Sequence, residues 1–179
     1  MPSENPTNMR DPSRETYWRL LAIATDPDRS SPELYGLIHE GETDVPLMVD
    51  GRIALFADPA RAPELLQLYG APLVADKVDI EKPFFWCDVA EALHLLSVGG
   101  IDAQASVLNA VNVLLTLVAA SGIKLIDDRR RALHAIADYC TTSKDLTKYL
   151  EEDGEHSSRK LIDAVLWCVG AVAVKTRIV

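Results

Sequence analysis

The sequence lacks the common catalytic and nucleotide-binding motifs. It has no Gly-x-Ser-x-Gly nucleophile elbow and no glycine-rich phosphate loop of either common pattern. The three cysteines, Cys87, Cys140 and Cys168, contain no Cys-x-x-Cys pair, which excludes a zinc ribbon and a dithiol redox motif. The whole chain has only four histidines, so few side chains remain that could bind a metal ion. The sequence therefore predicts no cofactor and no bound metal.

Positive charge is also scarce, above all in the first half of the chain. Residues 1–100 carry 8 Lys and Arg against 17 Asp and Glu, whereas residues 101–179 carry 10 of each kind. Phosphate binding draws on clustered cations, so the acidic half argues against nucleic acid as a partner. Solubility alone explains such a charge, and a partner with a basic surface is the functional alternative.

Long hydrophobic runs are missing as well. The longest, at residues 161–174, spans 14 residues and contains Asp163, which is too short and too interrupted for a membrane span. Residues 1–12 are polar and lack the apolar centre of a signal peptide. The cysteines are odd in number and lie in apolar surroundings, as is usual in a reducing compartment. These features predict a cytoplasmic protein without a membrane partner.

The clearest local signal that is present lies at residues 45–56. Two runs of β-forming residues flank Asp50-Gly51, a dipeptide that supplies the positive φ angles of a two-residue hairpin turn. Asp58-Pro59 follows as the N-cap and first residue of a helix expected to end at Tyr69. The sequence thus predicts strand, turn, strand and helix in direct succession.

The remaining elements are predicted from caps, glycines and apolar spacing. A helix capped by Ser13 is expected to end near Asp26, and short strands are candidates at residues 34–39 and 72–75, the latter with an extended connection as the alternative. From Phe84 onward every segment is predicted to be helical, with Asp102 and Ser143 as capping residues and Asp127 and Ser157 opening their helices. The expected helices cover residues 85–98, 102–121, 127–140, 143–152 and 157–175.

The predicted fold class is α+β, with a small antiparallel hairpin or sheet near the N-terminus packed on a predominantly α-helical bundle. The short connections between the helices favour antiparallel packing. We expect a flexible arm at residues 1–12 and a single domain at 13–179. Within that domain, residues 13–83 form a mixed helix and hairpin part and residues 84–179 a helical part.

Two sets of ionisable residues have the spacing of catalytic or metal-binding groups. Asp88, Glu91 and His94 share one predicted helix and resemble half of a carboxylate-bridged metal site, but they fall opposite the apolar face. His134 and Asp138 have the spacing of a base and its orienting carboxylate, again opposite the apolar face and without an evident nucleophile. Both sets are therefore predicted to be solvated, and no catalytic residue is assigned.

Arg129-Arg130-Arg131 is the one basic run in the chain. Three consecutive residues fan around a helix and do not face a single ligand, and Asp127 and Asp128 precede them. The sequence predicts a solvated patch that neutralises itself.

Two uncommon patterns supply the candidate ligand or partner residues. Asn109, Asn112 and Thr116 form a polar line on an apolar helix, which indicates either close helix packing or a wet face. Phe84-Phe85-Trp86 is typical of an anchor in the core, with a partner hot spot as the alternative. The candidate residues are Trp86, His94, Asn109 and Asn112.

The last helix is apolar around nearly its whole circumference, which places it in the centre of a bundle or in a subunit interface. Asp163 is expected to pair with Arg159 one turn earlier. The central position is favoured, and a homodimer through this helix is the second interpretation.

Three hypotheses about function remain at this stage. The first is a soluble, non-enzymatic interaction or regulatory protein, similar to an immunity protein, an adaptor or a subunit, which binds a basic partner through its acidic N-terminal half. The alternative is a small-ligand-binding or catalytic domain with a pocket between the sheet and the bundle. The third is a structural homodimer.

Overall fold

The computed structural model describes residues 17–69, 78–152 and 155–179, and the side chains of all of these except residues 155 and 156. The predicted arm at residues 1–12, the cap Ser13 and the segment 72–75 lie outside the described residues. The described chain forms seven strands, β1 (Tyr17–Ala24), β2 (Leu34–Glu40), β3 (Val45–Pro46), β4 (Met48–Val49), β5 (Arg52–Phe56), β6 (Phe85–Asp88) and β7 (Thr176–Ile178). It also forms six α-helices, α1 (Ala62–Tyr69), α2 (Val89–Val98), α3 (Gln104–Ser121), α4 (Asp127–Thr142), α5 (Leu146–Glu152) and α6 (Glu155–Val174). The predicted α+β class is confirmed.

The strands form one mixed sheet in the order β4-β5-β2-β1-β6. Strand β3 adds to β2, and β7 adds to β5. The β1–β6 and β5–β7 pairs are parallel, and the others are antiparallel. The parallel pairs join residues far apart in sequence, so the sheet extends beyond the N-terminal part predicted for it.

The hairpin at residues 45–56 is confirmed. Asp50 and Gly51 have φ angles of 51° and 72°, as a type I′ turn requires. The side chain of Asp58 accepts a hydrogen bond from the N–H of Ala60 at 2.9 Å. This cap begins a short 3-10 turn, Pro59–Arg61, before α1. The strand predicted at residues 34–39 is present as β2.

The helix predicted to begin at Ser13 is wrong for residues 17–24, which form β1 in the interior of the sheet. Five consecutive residues, from Leu20 to Ala24, are buried. A strand that is buried on both faces has a continuous run of apolar residues instead of an alternation of apolar and polar ones. Periodicity alone does not distinguish such a run from a buried helix, which explains the wrong prediction.

The helix predicted from residue 85 begins later, since Phe85–Asp88 is β6 and α2 begins at Val89. Two predicted caps also differ from the structure. Asp102 has a φ angle of 59° and does not cap α3, whose N-cap residue is Ala103. The N–H of Lys148 bonds the carboxylate of Asp145 at 3.1 Å, so Asp145 rather than Ser143 caps the first turn of α5.

The sheet is covered on both faces. Leu21 and Ile23 of β1 belong to a core shared with α2, α3, α4 and α6, whereas Leu20 belongs to a separate core shared with α1. Because neighbouring residues of a strand point to opposite faces, the two cores lie on opposite sides of the sheet. The helical bundle occupies one side, and α1 lies on the other.

Helix α3 lies at the centre of the bundle. It packs against β6, α2, α4 and α6, and its buried residues are Val107, Ala110, Val111, Val113, Leu114, Leu117 and Val118. By length and composition alone it is the one helix among the described residues that is apolar enough to cross a membrane, with a mean hydropathy of 1.5.

Candidate functional site

Strand β6 is the last strand in the order of the sheet, and α3 packs against it. The strand runs parallel to β1, with Trp86 in register with Ala22. The N–H of Phe84, just before β6, donates to the carbonyl oxygen of Leu20 at 2.9 Å. This edge of the sheet therefore holds the aromatic run at a fixed position beside α3.

The three aromatic side chains differ in exposure, and alternation within β6 turns Trp86 away from the core that Cys87 faces. Cys87 is 1 % exposed and packs in the core with the half-buried Phe85, whereas Trp86 is 41 % and Phe84 57 % exposed. The sequence-based expectation that all three aromatics anchor in the core is therefore wrong for Phe84 and Trp86. Their exposed ring area is unusual for a strand that borders a closed core.

Phe84 is held in place although it is exposed. The Arg19 guanidinium lies 4.6 Å from the centre of the Phe84 ring and 4.9 Å from that of Tyr17. Arg19 also forms a 3.0 Å ion pair with Glu40. Cation–π contacts of this kind stabilise a ring by about 0.5–1 kcal/mol at exposed sites.

The polar line on α3 lies next to these aromatics. Asn109 and Asn112 are exposed and Thr116 is half-buried, because the apolar residues of α3 turn the opposite face to the core. None of these three side chains hydrogen-bonds another described residue. Of the two alternatives at the sequence level, the wet face is the one that the structure shows.

A small cavity of about 150 Å³ brings the two patterns together. Three of the four candidate residues, Trp86, Asn109 and Asn112, line it; the remaining lining residues are Ile38, Asp44, Phe84, Phe85, Val113 and Thr116. We call Phe84, Trp86, Asn109 and Asn112 the aromatic–amide surface.

The fourth candidate, His94, lies elsewhere. It is exposed on α2, and it is absent from the lining of this cavity. Asp88 caps α2 by accepting a hydrogen bond from the N–H of Glu91 at 2.9 Å. The carboxylate of Asp88, which its spacing from Glu91 and His94 made a candidate metal ligand, thus caps the helix instead. Among the described residues no group of three His, Cys, Asp or Glu side chains is arranged to hold a metal ion.

The other ionisable sets are surface features. His134 and Asp138 are both exposed on α4. Arg130 pairs with Asp127 at 3.3 Å and Arg131 pairs with Asp128. Asp163 pairs with Arg129 at 3.0 Å, so the expected pair with Arg159 is wrong. The neighbouring α4, and not the preceding turn of α6, supplies the cation.

The three cysteines are buried and lack the chemistry of a nucleophile. Burial, together with the smaller effect of the nearby Asp88 charge, raises the pKa of the Cys87 thiol to about 12. Burial also raises the pKa values of Cys140 and Cys168 to about 11. The thiolate is the reactive form, so these side chains remain protonated and inert at neutral pH.

The aromatic–amide surface is suited to non-covalent recognition. Its amides and indole offer hydrogen-bond donors and acceptors, and its rings offer apolar area. Sequence reasoning named Phe84 only as part of the aromatic run, and it missed Asp44. Phe84 lies just before β6, so strand alternation gave no signal for its exposure, and no sequence signal placed Asp44 beside α3.

The chain is an α+β domain, and the aromatic–amide surface lies at one edge of its sheet. No protein-family model matches the sequence, and no curated protein matches it either. Its structure is similar to a crystal structure of the SatS C-terminal domain in complex with bromine, with a TM-score of 0.61. The match covers 90% of this chain and 94% of that one at 14% sequence identity, which shows a common fold and no more.

Proposed function

We propose that this protein is a non-enzymatic interaction protein, such as an adaptor, an immunity-type inhibitor or a regulatory subunit. It binds a protein partner through the aromatic–amide surface. The observation that carries the proposal is that two exposed aromatic residues and two exposed amide residues, whose side chains hydrogen-bond no other described residue, line one concavity. Trp and other aromatic residues beside polar groups are the usual composition of an interface hot spot.

The size of the concavity favours a protein partner over a small ligand. Pockets for small ligands usually enclose about 300–1,000 Å³, and this cavity has about 150 Å³. That volume suits a single side chain that projects from a partner surface. The alternative of a ligand pocket between sheet and bundle is therefore less favoured at this position.

The charge of the region indicates the chemistry of the partner. Asp44 lines the cavity, and residues 1–100 carry more than twice as many acidic as basic side chains. An aromatic or aliphatic side chain flanked by Lys or Arg would complement both the cavity and its charge. Charge complementarity of this kind acts mainly on the association rate and weakens with salt.

The test is affinity capture from native cells with wild-type protein, Trp86→Ala and the control Ile101→Ala. Ile101 is a more exposed apolar residue outside the cavity. We expect a stoichiometric partner whose affinity falls about thirtyfold or more with Trp86→Ala, because truncation of a hot-spot Trp costs about 2 kcal/mol or more. Binding to the control should match wild type and weaken with salt.

Two results would overturn the proposal. One is that the two variants capture the partner equally well. The other is that wild-type protein, at concentrations matching those in the cell, captures nothing.

The outward side of α6 favours a second candidate, a homodimer. Leu166 is 51 % and Val174 71 % exposed, although Leu161, Ala164, Val165 and Cys168 of the same helix are buried. The helix thus serves the bundle core and still presents apolar side chains. Sedimentation of wild type and Leu166→Glu tests this: we expect a dimer that the variant dissociates, and a wild-type monomer at micromolar concentration would contradict it.

A further inference from the structure

A larger cavity lies between the C-terminal half of α3 and the first turns of α4. Its volume is about 390 Å³, which falls within the range of small-molecule sites. The site is separate from the aromatic–amide surface, and the inference does not depend on the function proposed above.

The lining of this cavity combines two kinds of side chain. Val118 of α3 and Leu125 of the α3–α4 connection are buried apolar residues. Lys124, Arg130 and His134 are exposed. No carboxylate is among the described residues that line it. A concentration of cationic and imidazole groups is uncommon in a chain with a net charge of −9.

The three polar side chains differ in how far they are already engaged. Arg130 donates to the carbonyl oxygen of Leu125 at 3.2 Å and pairs with Asp127 at 3.3 Å, so its guanidinium is already engaged by the protein. Lys124 and His134 form no hydrogen bond or ion pair with another described residue. Their donors are therefore available to a ligand.

Other charged groups near the cavity are few. Asp127 is committed to Arg130. Asp138 lies one turn beyond His134 on α4 and is not among the lining residues. Asp163 of the neighbouring α6 is engaged by Arg129. The balance of charge facing the cavity is therefore positive.

We propose that this cavity binds an amphiphilic monoanion, a molecule with an apolar body and one carboxylate or sulfonate group. The apolar residues bury the body, which is favourable in proportion to the area removed from water. The ammonium group of Lys124 and a ring N–H of His134 donate to the anionic head, since hydrogen bonds to an ionised acceptor are stronger than neutral ones.

Two fluorescent probes that differ mainly in the charged group test the proposal. 1-Anilinonaphthalene-8-sulfonate has an aromatic body and a sulfonate, and N-phenyl-1-naphthylamine has the same body without it. For the sulfonate probe we expect saturable binding to the folded protein. The double variant Lys124→Gln/His134→Gln should raise its Kd by about three- to tenfold, the effect of losing one exposed ionic contact and one exposed hydrogen bond. The affinity of the neutral probe should stay unchanged.

Two matched controls separate this site from general effects. The double variant Lys160→Gln/His94→Gln changes the same residue types at exposed positions outside the cavity. Ala119→Trp fills the cavity and should abolish saturable sulfonate binding, whereas Ala105→Trp, at an exposed position on the same helix, should not. Far-ultraviolet circular dichroism confirms that each variant is folded.

Three outcomes would overturn the inference. The first is that Ala119→Trp binds the sulfonate probe as tightly as wild type. The second is that the control double variant loses as much affinity as Lys124→Gln/His134→Gln. The third is that the neutral probe loses affinity in parallel with the charged one.

Discussion

Replacement of Gly99 by alanine is expected to destabilise the protein strongly, because this residue satisfies two constraints at once. Gly99 ends α2 with φ 77° and ψ −166°, a region that residues with a Cβ rarely adopt. A Cβ placed here would lie 2.6 Å from the Oγ1 and 2.9 Å from the Cα of Thr147. Thr147 also accepts a hydrogen bond from the N–H of Gly100 at 2.9 Å, so it is held in place.

The expected magnitude follows from these two terms. Backbone strain in such a region costs about 1–3 kcal/mol, and an overpacked contact costs about 1–3 kcal/mol more. We therefore expect the free energy of unfolding to fall by about 4 kcal/mol. Gly122→Ala is the matched control, since its φ is 71° but a Cβ there meets nothing within 4 Å. This control should lose only the left-handed strain, about 1–2 kcal/mol.

Urea unfolding followed by circular dichroism measures both variants. Both substitutions lower the conformational entropy of the unfolded chain by a similar amount, so this stabilising effect cancels when the two variants are compared. We expect Gly99→Ala to be less stable than Gly122→Ala by at least about 2 kcal/mol, the size of the steric contact. Equal stability of the two variants would refute the close packing of α2 against α5 at this junction.

Two further predictions concern the core and the surface. The native Cys87 thiol keeps a proton that the unfolded chain releases above its ordinary pKa of 9.0, so the free energy of unfolding should fall as pH rises from 9 toward 12. The fall should be about 1.4 kcal/mol per pH unit relative to Cys87→Val, and parallel urea-unfolding profiles of the two proteins would contradict it. Arg129→Ala should cost about 1 kcal/mol, because Arg129 combines the 3.0 Å pair with Asp163 and a contact 5.5 Å from the Trp167 ring. Arg131→Ala, which removes only an exposed pair, should change the thermal unfolding midpoint very little; equal losses would show that the pair with Asp163 and the aromatic contact together add no stability.

Local chemistry accounts for the parts of the fold that the sequence predicted correctly. Asp50-Gly51 and the Asp58 cap act within a few residues, so their turns are visible without tertiary information. The missed strands depend on distant partners. Strand β1 is sandwiched between two cores, and β6 pairs with it across more than sixty residues. No local pattern reports such pairing.

The candidate surface was predictable in its parts and not as a whole. The polar line of α3 indicated that Asn109 and Asn112 share a face, and the aromatic run drew attention to Trp86. Their common position depends on β6 running beside α3, which is a property of the parallel pairing. The same pairing sets the alternation within β6 that exposes Trp86 between Phe85 and Cys87. His94, by contrast, belonged to a spacing pattern whose first member, Asp88, caps α2, and His94 itself is exposed on that helix.

The most direct test of the interaction proposal is photo-crosslinking in native cells, with a benzophenone amino acid placed at Asn112 and, in a separate protein, at Ile101. We expect the protein with the benzophenone at position 112 to form a discrete crosslinked product with its partner. This product should be absent with the benzophenone at position 101, and its yield from position 112 should fall when Trp86→Ala is added. Equal crosslinking from both positions, or none from position 112, would contradict it.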